Sequence, residues 1–399
     1  MMTLLIDNDI SKAAEIIKSG GLVGVPTETV YGLAGNGLDT KAVERIYEVK
    51  GRPAVKPLSL MVPDKSAMEK YCEDVPDAAY ALADKFWPGP LTIVLKSKEI
   101  VPDIVRAGGC TVGLRCPDHL KTLELLKLAG LPLAAPSANP SDMPSPKTAG
   151  EVMEYFDGSI EAVIDGGECG IGLESTLLDM SRTPYRILRQ GALSEGDIAG
   201  ALTDNMCILG ITGPTGCGKT TALKQLENFG ALVLDCDRVY HELLTEDKEL
   251  LSELEARFPG TVENGVLDRK ALGSIVFSDP EELAALNRIS HAHISVEIRR
   301  RLCNFAMSGG KLAALDAIEL ISSGLASCCD TVIGVLSDRE KRAERIMKRD
   351  GIDKAAAMLR IEAQRDDIYF EENCDHVLYN NGTEEEFCDL VINLLTEVI

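Results

Sequence analysis

Nowhere in these 399 residues does an uncharged apolar run approach the ~18 residues needed to cross a bilayer, so no membrane span is predicted. Cations are also scarce. Lys and Arg total 41 against 63 Asp and Glu; residues 1–205 hold 20 basic and 29 acidic residues, residues 206–399 hold 21 and 34. Neither half has the bulk positive surface that suits nucleic acid. The 12 cysteines are scattered and form no Cys-x-x-Cys pair, and "MMTLLIDNDISKAAEII" lacks the basic start, long apolar stretch and cleavage site of a secretory signal. The expectation is a cytoplasmic protein with reduced thiols. Internal repeats and low-complexity tracts are missing too. What remains is a long, 45% hydrophobic chain that exceeds the size at which one core keeps growing, which predicts two domains.

The stretch "GITGPTGCGKTT" (210–221) fits G-x-x-x-x-G-K-[ST] through Gly213, Gly218, Lys219 and Thr220. Glycines there let backbone N–H groups close on phosphate oxygens, while the lysine and the hydroxyl meet phosphate charge and Mg²⁺. The expected nucleotide contacts are Gly213, Thr215, Gly216, Cys217, Gly218, Lys219, Thr220 and Thr221, with Thr220 as the metal ligand. Cys217 is tolerated sterically because the backbone makes the phosphate contacts. "CILGI" reads as a buried strand entering the loop, "KTTALKQLENF" has helical spacing, Gly230 suits the helix end, and "ALVLDCD" reads as the next strand.

Later stretches narrow the acceptor: "LDCDRVYHELL" (234–244), "VLDRKALGSIVFSDPEELAALNRISHAHI" (266–294), "RIMKRDGI" (345–352) and "MLRIEAQ" (358–364). In this order they resemble dephospho-CoA kinase across essentially all of 206–399. The resemblance implies that Asp235 and Asp237 lie beside the acceptor hydroxyl and supply a base, with a helix N-cap at Asp237 as the plain alternative. It also implies a lid carrying Arg345, Arg349 and Arg360, with Arg349 on the triphosphate, and acceptor-side contacts from His241 and Asp316. The chain departs from the family where Pro-Leu-Leu-Phe-Glu is usual. Here "LDAIELISSGL" (315–325) keeps Asp316 but has Ile318 and Ser322, a His-Pro becomes His291-Ala292, and an expected lysine is Phe370.

Before the loop, "GGLVGVPTETVYGLAGN" (20–36) and "YEVKGRPAVKPLSLMV" (47–62) place Lys50, Arg52 and Lys56 close together after a helix-forming "TKAVERIYEVK" (40–50). On spacing alone this is either an exposed basic loop or a phosphate clamp. With "FWPGPLTIVL" (86–95), "TVGLRCPDH" (111–119), "PLAAPSANPSDMPSP" (132–146), "VIDGGECGIGLESTLLD" (163–179) and "RILRQGAL" (186–193), residues 10–195 resemble the YrdC family of threonylcarbamoyl-AMP synthases. That likeness implies that Lys50 and Arg52, with Ser137 and Asn139, hold ATP or the adenylate. It places Thr27 on the threonine side and Arg115 and Arg189 near carboxylate or phosphate oxygens. Ser175 is expected at the substrate or in its own turn, and Trp87 with Phe86 packed beneath the site rather than stacking on a base.

The expected architecture is two α/β domains. Residues 1–204 form a YrdC-like twisted, mixed α/β domain; residues 205–399 form a three-layer P-loop kinase domain with a parallel sheet and helical lid. "SEGDIAGALTDNM" (194–206) joins them, with a helix-like stretch. The expected substrates are threonine, bicarbonate, dephospho-CoA and ATP with Mg²⁺, and the adenylate is expected to pass to a separate tRNA-modifying transferase complex without direct nucleic-acid binding. The competing readings are an RNA-binding module in the first half and a nucleotide-binding regulatory module without kinase activity in the second.

Overall fold

A computed structural model describes residues 2–399. They fall into two compact units, one of Met1–Asn205 with Met307–Gly309, the other of Met206–Ala306 with Gly310–Ile399. Among the described residues no helix is long and apolar enough to cross a membrane, and all the cysteines are free thiols.

The N-terminal unit is built on an 11-stranded sheet. Its spatial order is Leu4–Ile6, Ala162–Ile164, Val23–Val25, Gly32–Asn36, Leu133–Ala134, Ser59–Met61, Thr111–Arg115, Leu91–Ser97, Thr176–Asp179 and Arg186–Arg189, with Cys72–Glu73 also on Leu91–Ser97. The sheet is mixed: Ser59–Met61 runs parallel to Thr111–Arg115, which runs antiparallel to Leu91–Ser97. Strand "LTIVL" is covered on both faces, since its successive residues Leu91 to Leu95 are all buried. Helix Ile10–Lys18 buries Ile10, Ala13, Ala14 and Ile17, an i, i+3, i+4, i+7 stripe, against Leu125, Leu126 and Ala129 and the strand residues Val23, Val25 and Ile164. Each fully buried Ile, Leu or Val side chain among these contributes ~1.5–3 kcal/mol.

Two punctuation points aim the functional residues. Asp39 caps helix Thr40–Lys50 by accepting the Lys41 N–H at 3.0 Å, and the helix ends at Gly51 in the left-handed conformation, φ +60°. Lys50 therefore leaves from the last helical turn, and Arg52 leaves after a chain reversal that only glycine makes without strain. The segment predicted as the joint holds helix Glu195–Thr203, opened by a reciprocal Ser194/Asp197 capping box.

The main sheet of the C-terminal unit has five strands, all parallel, in the order Leu232–Asp235, Leu312–Asp316, Cys207–Thr212, Thr331–Leu336, His376–Tyr379, and Val262–Glu263 with Val266–Leu267 forms a separate antiparallel pair. Consecutive Ala313, Ala314 and Leu315 are each fully buried, so helices cover both faces as in three-layer α/β folds. Against one face, Ala222 and Leu226 of helix Lys219–Asn228 and Phe387, Val391 and Leu395 of helix Glu384–Val398 pack on Leu209, Ile211, Ile333 and Val335. Helices Arg339–Asp350 and Lys354–Glu362 form the lid and share a small core of Ala343, Ile346, Ala357 and Ile361. Register pairs Asp235 with Asp316 and Asp316 with Ile211, so two carboxylates stand level with the strand end that feeds the loop at Gly213. That carboxyl edge is where open α/β sheets bind ligands.

Candidate functional sites

In the N-terminal unit a cavity of about 170 Å³ is walled by Arg52, Arg115, Ser137, Ser175 and Arg189, with Glu174 as its one carboxylate. Arg115 is 7% exposed; it donates to Glu28 Oε1 at 2.8 Å, Thr29 Oγ1 at 2.7 Å and the Gly89 carbonyl at 3.3 Å. Arg189 pairs with Glu174 and donates to the Ser175 carbonyl at 2.9 Å. Arg52 is half-buried and donates to the Pro57 carbonyl at 3.0 Å; burial lowers its pKa. Ser137 brings a hydroxyl that has no partner among the described residues, while the Ser175 hydroxyl pairs with Thr92 Oγ1 at 2.8 Å.

Lys50, Asn139 and Thr27 are not in this wall. Lys50, 3% exposed, donates through Nζ to the carbonyls of Ser137 and Asn139, tying the helix end to the loop that carries Ser137. Burial, and then the nearby Arg52 charge, pull its pKa down to about 7. Asn139 spends its amide on the Pro140 carbonyl at 3.1 Å and on Met143. Thr27 Oγ1 donates to the Val30 carbonyl at 2.7 Å and accepts the Thr29 and Val30 N–H groups, so its hydroxyl closes its own turn. Its neighbour Thr29 touches Arg115 instead. Trp87 donates Nε1–H to the Leu91 carbonyl at 2.8 Å and lies outside the wall, which fits packing rather than base stacking. Glu28, Thr92 and Glu174 are the residues sequence reasoning missed; the signal for the two glutamates lay inside the quoted "PTETVYGL" and "GLESTLLD" strings.

In the C-terminal unit Gly213, Gly216 and Gly218 have φ +141°, +82° and +101°. A Cβ on Gly213 would collide with the Val335 carbonyl, and one on Gly218 with Asn380 Nδ2. Lys219 Nζ donates to the Gly213 carbonyl at 2.9 Å, folding back across the loop. Thr220 is exposed on the first helical turn, with an unpaired hydroxyl among the described residues; Thr221 donates its N–H to the Gly218 carbonyl at 3.0 Å. Cys217 is 1% exposed and burial raises its thiol pKa, so it stays a protonated, inert group. Thr215 is turned to the lid: its N–H goes to Gln364 Oε1 at 2.9 Å and its hydroxyl accepts from Gln364 Nε2 at 3.0 Å.

Three carboxylates gather at the strand ends. Burial raises the Asp316 pKa to about 6, with Lys219 opposing and Asp235 and Asp237 adding to the rise. Its Oδ1 is buried without a hydrogen-bond partner, an unmet acceptor of the kind a cation or donor completes. Burial and the Asp235 charge raise Asp237. The N-cap of helix Cys236–Glu246 is Asp235, accepting the Arg238 N–H at 3.0 Å, not Asp237: the strand ends one residue before the helix begins, so the cap falls on the last strand residue. His241 is exposed, its Nδ1 2.7 Å from the Asp237 carbonyl one turn earlier.

Four apart on one helix, Arg345 and Arg349 have different partners. Arg345 reaches the loop: Nη1 lies 3.1 Å from the Gly216 carbonyl and 3.2 Å from that of Cys217. Arg349 forms a two-bond pair with adjacent Asp350, at 2.7 and 2.9 Å, and Arg360 meets the same carboxylate. At the departures from the family pattern, Ser322 bonds Glu319, the Ile318 carbonyl accepts the Thr212 hydroxyl at 3.1 Å, and Phe370 is buried at 1% exposure. Arg342, Gln364 and Asn380, unflagged in the sequence, all touch the loop.

An arginine-walled cavity on a mixed sheet and a glycine loop on a parallel sheet define enzymes that handle polyphosphates. Residues 15–191 match the Sua5/YciO/YrdC family model, described as telomere recombination, and residues 207–386 match the dephospho-CoA kinase model. The chain belongs to both families, the first through its N-terminal half and the second through its C-terminal half. It is 49% identical over 181 residues to the threonylcarbamoyl-AMP synthase of Pyrococcus abyssi, covering 45% of this chain and 53% of that one. A Methanocaldococcus jannaschii relative is 37% identical over 193 residues, 47% of this chain and 90% of its own. The dephospho-CoA kinase of Corynebacterium glutamicum is 32% identical over 195 residues, 48% of this chain and 100% of its own. The chain spans about half the length of the Pyrococcus abyssi, Bacillus subtilis and Schizosaccharomyces pombe synthases it matches.

Proposed function

We propose that the chain is a cytoplasmic bifunctional enzyme: residues 1–204 make L-threonylcarbamoyl-AMP from threonine, bicarbonate and ATP, and residues 205–399 phosphorylate dephospho-CoA to CoA. The observation that carries the reading is that each unit holds its own cationic site of polyphosphate type, one walled by Arg52, Arg115 and Arg189, the other cupped by the loop around Lys219.

In the first reaction the carbamate formed from threonine and bicarbonate attacks the α-phosphorus of ATP through a carboxylate oxygen, and pyrophosphate leaves. Every partner is anionic. Arg52, Arg115 and Arg189 lower that repulsion and hold the leaving group, and the recess of the cavity limits the access of water to the carbamate. Once the carbamate exists no strong base is required. Glu174 holds Arg189 in the meantime. The adenylate is then handed to a separate transferase complex that modifies tRNA.

In the second reaction the ribose 3′-hydroxyl attacks the γ-phosphorus in line and ADP leaves. Asp237, whose raised pKa favours proton uptake, takes the hydroxyl proton, and Asp235, capping the helix beside it, holds that helix start in place. Lys219 offsets charge on the transferred group. The unpartnered Asp316 oxygen and the Thr220 hydroxyl are hard oxygen donors and fit Mg²⁺, which is held by one or two protein groups plus phosphates and water rather than by a protein cage. When bound, Mg²⁺ would supply charge neutralisation on the triphosphate. Arg349 and Arg360 are held on Asp350 and are free to exchange it for triphosphate oxygens.

Two assays test the reading. CoA must form from dephospho-CoA and ATP; ATP binding at the loop without CoA formation would reduce this half to a regulatory nucleotide-binding module. Pyrophosphate release must require both threonine and bicarbonate, and release without either one removes the synthase assignment.

A further inference from the structure

We propose that Arg345 and Asn380 are positioning residues that shape the phosphate-binding loop from its outer side, by holding its carbonyls outward so that its N–H groups face the nucleotide. The inference rests on the nucleotide-binding reading of the C-terminal half. In any peptide unit the C=O and the following N–H point in opposite directions, so fixing one aims the other.

Three successive loop carbonyls are fixed this way. The Thr215 carbonyl accepts from Arg342 Nε at 3.1 Å. That of Gly216 accepts from Arg345 Nη1 at 3.1 Å, and that of Cys217 from the same nitrogen at 3.2 Å and from Asn380 Nδ2 at 2.9 Å. The N–H groups that follow the Gly216 and Cys217 carbonyls belong to Cys217 and Gly218. Among the described residues the Gly218 N–H meets no acceptor, and neither do those of Gly216 and Thr220; the Lys219 N–H meets only the weakly accepting Cys217 sulfur, and the Cys217 N–H makes only a long 3.4 Å contact to the Pro214 carbonyl. These form the inward cup of an anion nest.

The outer brace is itself held rigidly. Arg345 Nη2 donates to the Asn380 carbonyl at 3.1 Å and Nη1 lies 3.1 Å from Ser337 Oγ, while the Ser337 hydroxyl donates to the Asn380 carbonyl at 2.8 Å. Asn380 is 6% exposed and its N–H joins the Leu336 carbonyl at 2.8 Å, so its amide hangs from the end of a sheet strand. It approaches so closely that a Cβ on Gly218 would strike its Nδ2. Glycine at 218 thus answers to this brace as well as to its own φ of +101°. Arg345, four residues from the solvent-side Arg349 on the same helix, acts on the loop backbone rather than on the triphosphate.

The test uses the full chain and reads the loop site alone, without relying on catalysis. Lys219 is labelled with an acyl-phosphate derivative of ATP, the labelled peptide is mapped, and protection by unlabelled ATP gives the affinity of that site. Asn380→Asp keeps the size but loses the donor; Arg345→Met keeps the stem but loses the fork. Each is expected to raise the ATP concentration for half-protection about tenfold or more, the effect of losing one or two hydrogen bonds that aim a charged-group contact, with Arg345→Lys in between. Protection by adenosine, which has no phosphate, stays unchanged. Unchanged ATP protection in Asn380→Asp, or an equal loss for adenosine and ATP, overturns the proposal, and Asn380→Asp decides alone if Arg345→Met does not fold. A wild-type chain that is protected by ATP yet forms no CoA sinks the kinase reading and leaves this inference standing; one that ATP does not protect at all sinks both.

Discussion

Replacing Lys50 by Met and, separately, Arg52 by Ala perturbs two cations that stand two positions apart in the sequence and are used differently in the fold. Lys50 Nζ is buried and donates to the carbonyls of Ser137 and Asn139. Methionine fills the stem but leaves the Asn139 carbonyl without a donor, at about 1–3 kcal/mol, and takes one of two donors from the Ser137 carbonyl, which keeps the Asn139 N–H at 3.0 Å, at about 0.5–1.5 kcal/mol. The sum, ~1.5–4.5 kcal/mol, is a large share of the ~5–15 kcal/mol that holds a domain. Relief from burying a cation offsets little of it. With a pKa pulled down to about 7 the amine is already largely neutral at slightly alkaline pH, and a neutral amine still donates to two carbonyls. The N-terminal unit of Lys50→Met is therefore expected to melt at least ~3 °C lower.

Arg52 is half-buried and its donors reach only the Pro57 carbonyl at 3.0 Å and the Lys56 carbonyl at 3.4 Å. Arg52→Ala is expected to shift melting by no more than ~2 °C, yet to lower kcat/KM for pyrophosphate release by about 10²-fold or more, the scale of a lost charge-stabilising donor. Calorimetry and a threonine- and bicarbonate-dependent pyrophosphate assay on the same preparations separate the two effects. If Lys50→Met melts like the wild type while losing activity as Arg52→Ala does, the amine works inside the cavity and the assignment of Lys50 as a brace is wrong.

Lys219→Ala is expected to abolish CoA formation while leaving adenylate synthesis within about twofold, and Arg52→Ala to do the reverse; parallel loss in both assays from either variant would show that the sites depend on one another. Gly218→Ala forces a Cβ into both a φ of +101° and the Asn380 amide, so ATP affinity at the loop should fall at least tenfold, measured by protection of Lys219. His293 donates its Nδ1–H to Asp247 Oδ2 at 2.8 Å; burial alone would lower its pKa, but the Asp247 bond and charge raise it, while backbone and His293 bonds outweigh burial to lower Asp247. A raised histidine stabilises below 6.5 and loses that as pH rises through its folded pKa; a lowered carboxylate stabilises above 3.8 and loses that as pH falls. Denaturant unfolding of His293→Gln should therefore differ from wild type most at pH ~4–6.5 and least above neutrality, and a difference that grows with alkalinity would contradict the pairing.

What was legible in the sequence was local. Helix Thr40–Lys50 has the predicted bounds because Asp39 and Gly51 punctuate it, and the strand, loop and helix from Cys207 to Asn228 follow from one glycine motif between two apolar patterns. What was illegible depends on partners far along the chain. Lys50 and Arg52 read as one clamp until the left-handed Gly51 sends them apart and acceptors near position 139 claim the lysine. Arg345 and Arg349 share a helical face by spacing, yet one finds loop carbonyls 128 and 129 positions earlier and the other finds its sequence neighbour. Thr27 and Thr215 are hydroxyls in the right strings whose bonds are already spent, on their own turn and on Gln364. Asp235 took the cap because strand and helix abut there without the intervening residue that the Asp237 alternative needed.

The same physics resolves the tension between a formal net charge of −22 and two sites for polyanions. Net charge sets the field at a distance, where salt screens it over about 10 Å; a site is set by the few groups that face it. Arg52 and Lys219 rest on backbone carbonyls, but the other cations are held by carboxylates of the chain itself: Arg115 by Glu28, Arg189 by Glu174, Arg349 and Arg360 by Asp350. Such pairs are worth ~1 kcal/mol or less where exposed, so an incoming polyphosphate can displace the acid at small cost and inherit a preset guanidinium. The buried Arg115–Glu28 pair, at 9% and 13% side-chain exposure, is the one that cannot exchange so cheaply. It follows that Glu174→Gln should change the KM for ATP in pyrophosphate release by no more than about fivefold, whereas Glu28→Gln, which leaves the Arg115 charge buried and unpaired, should cost the N-terminal unit ~3 kcal/mol or more in denaturant unfolding. Equal effects of the two variants on stability would mean that burial does not distinguish these ion pairs.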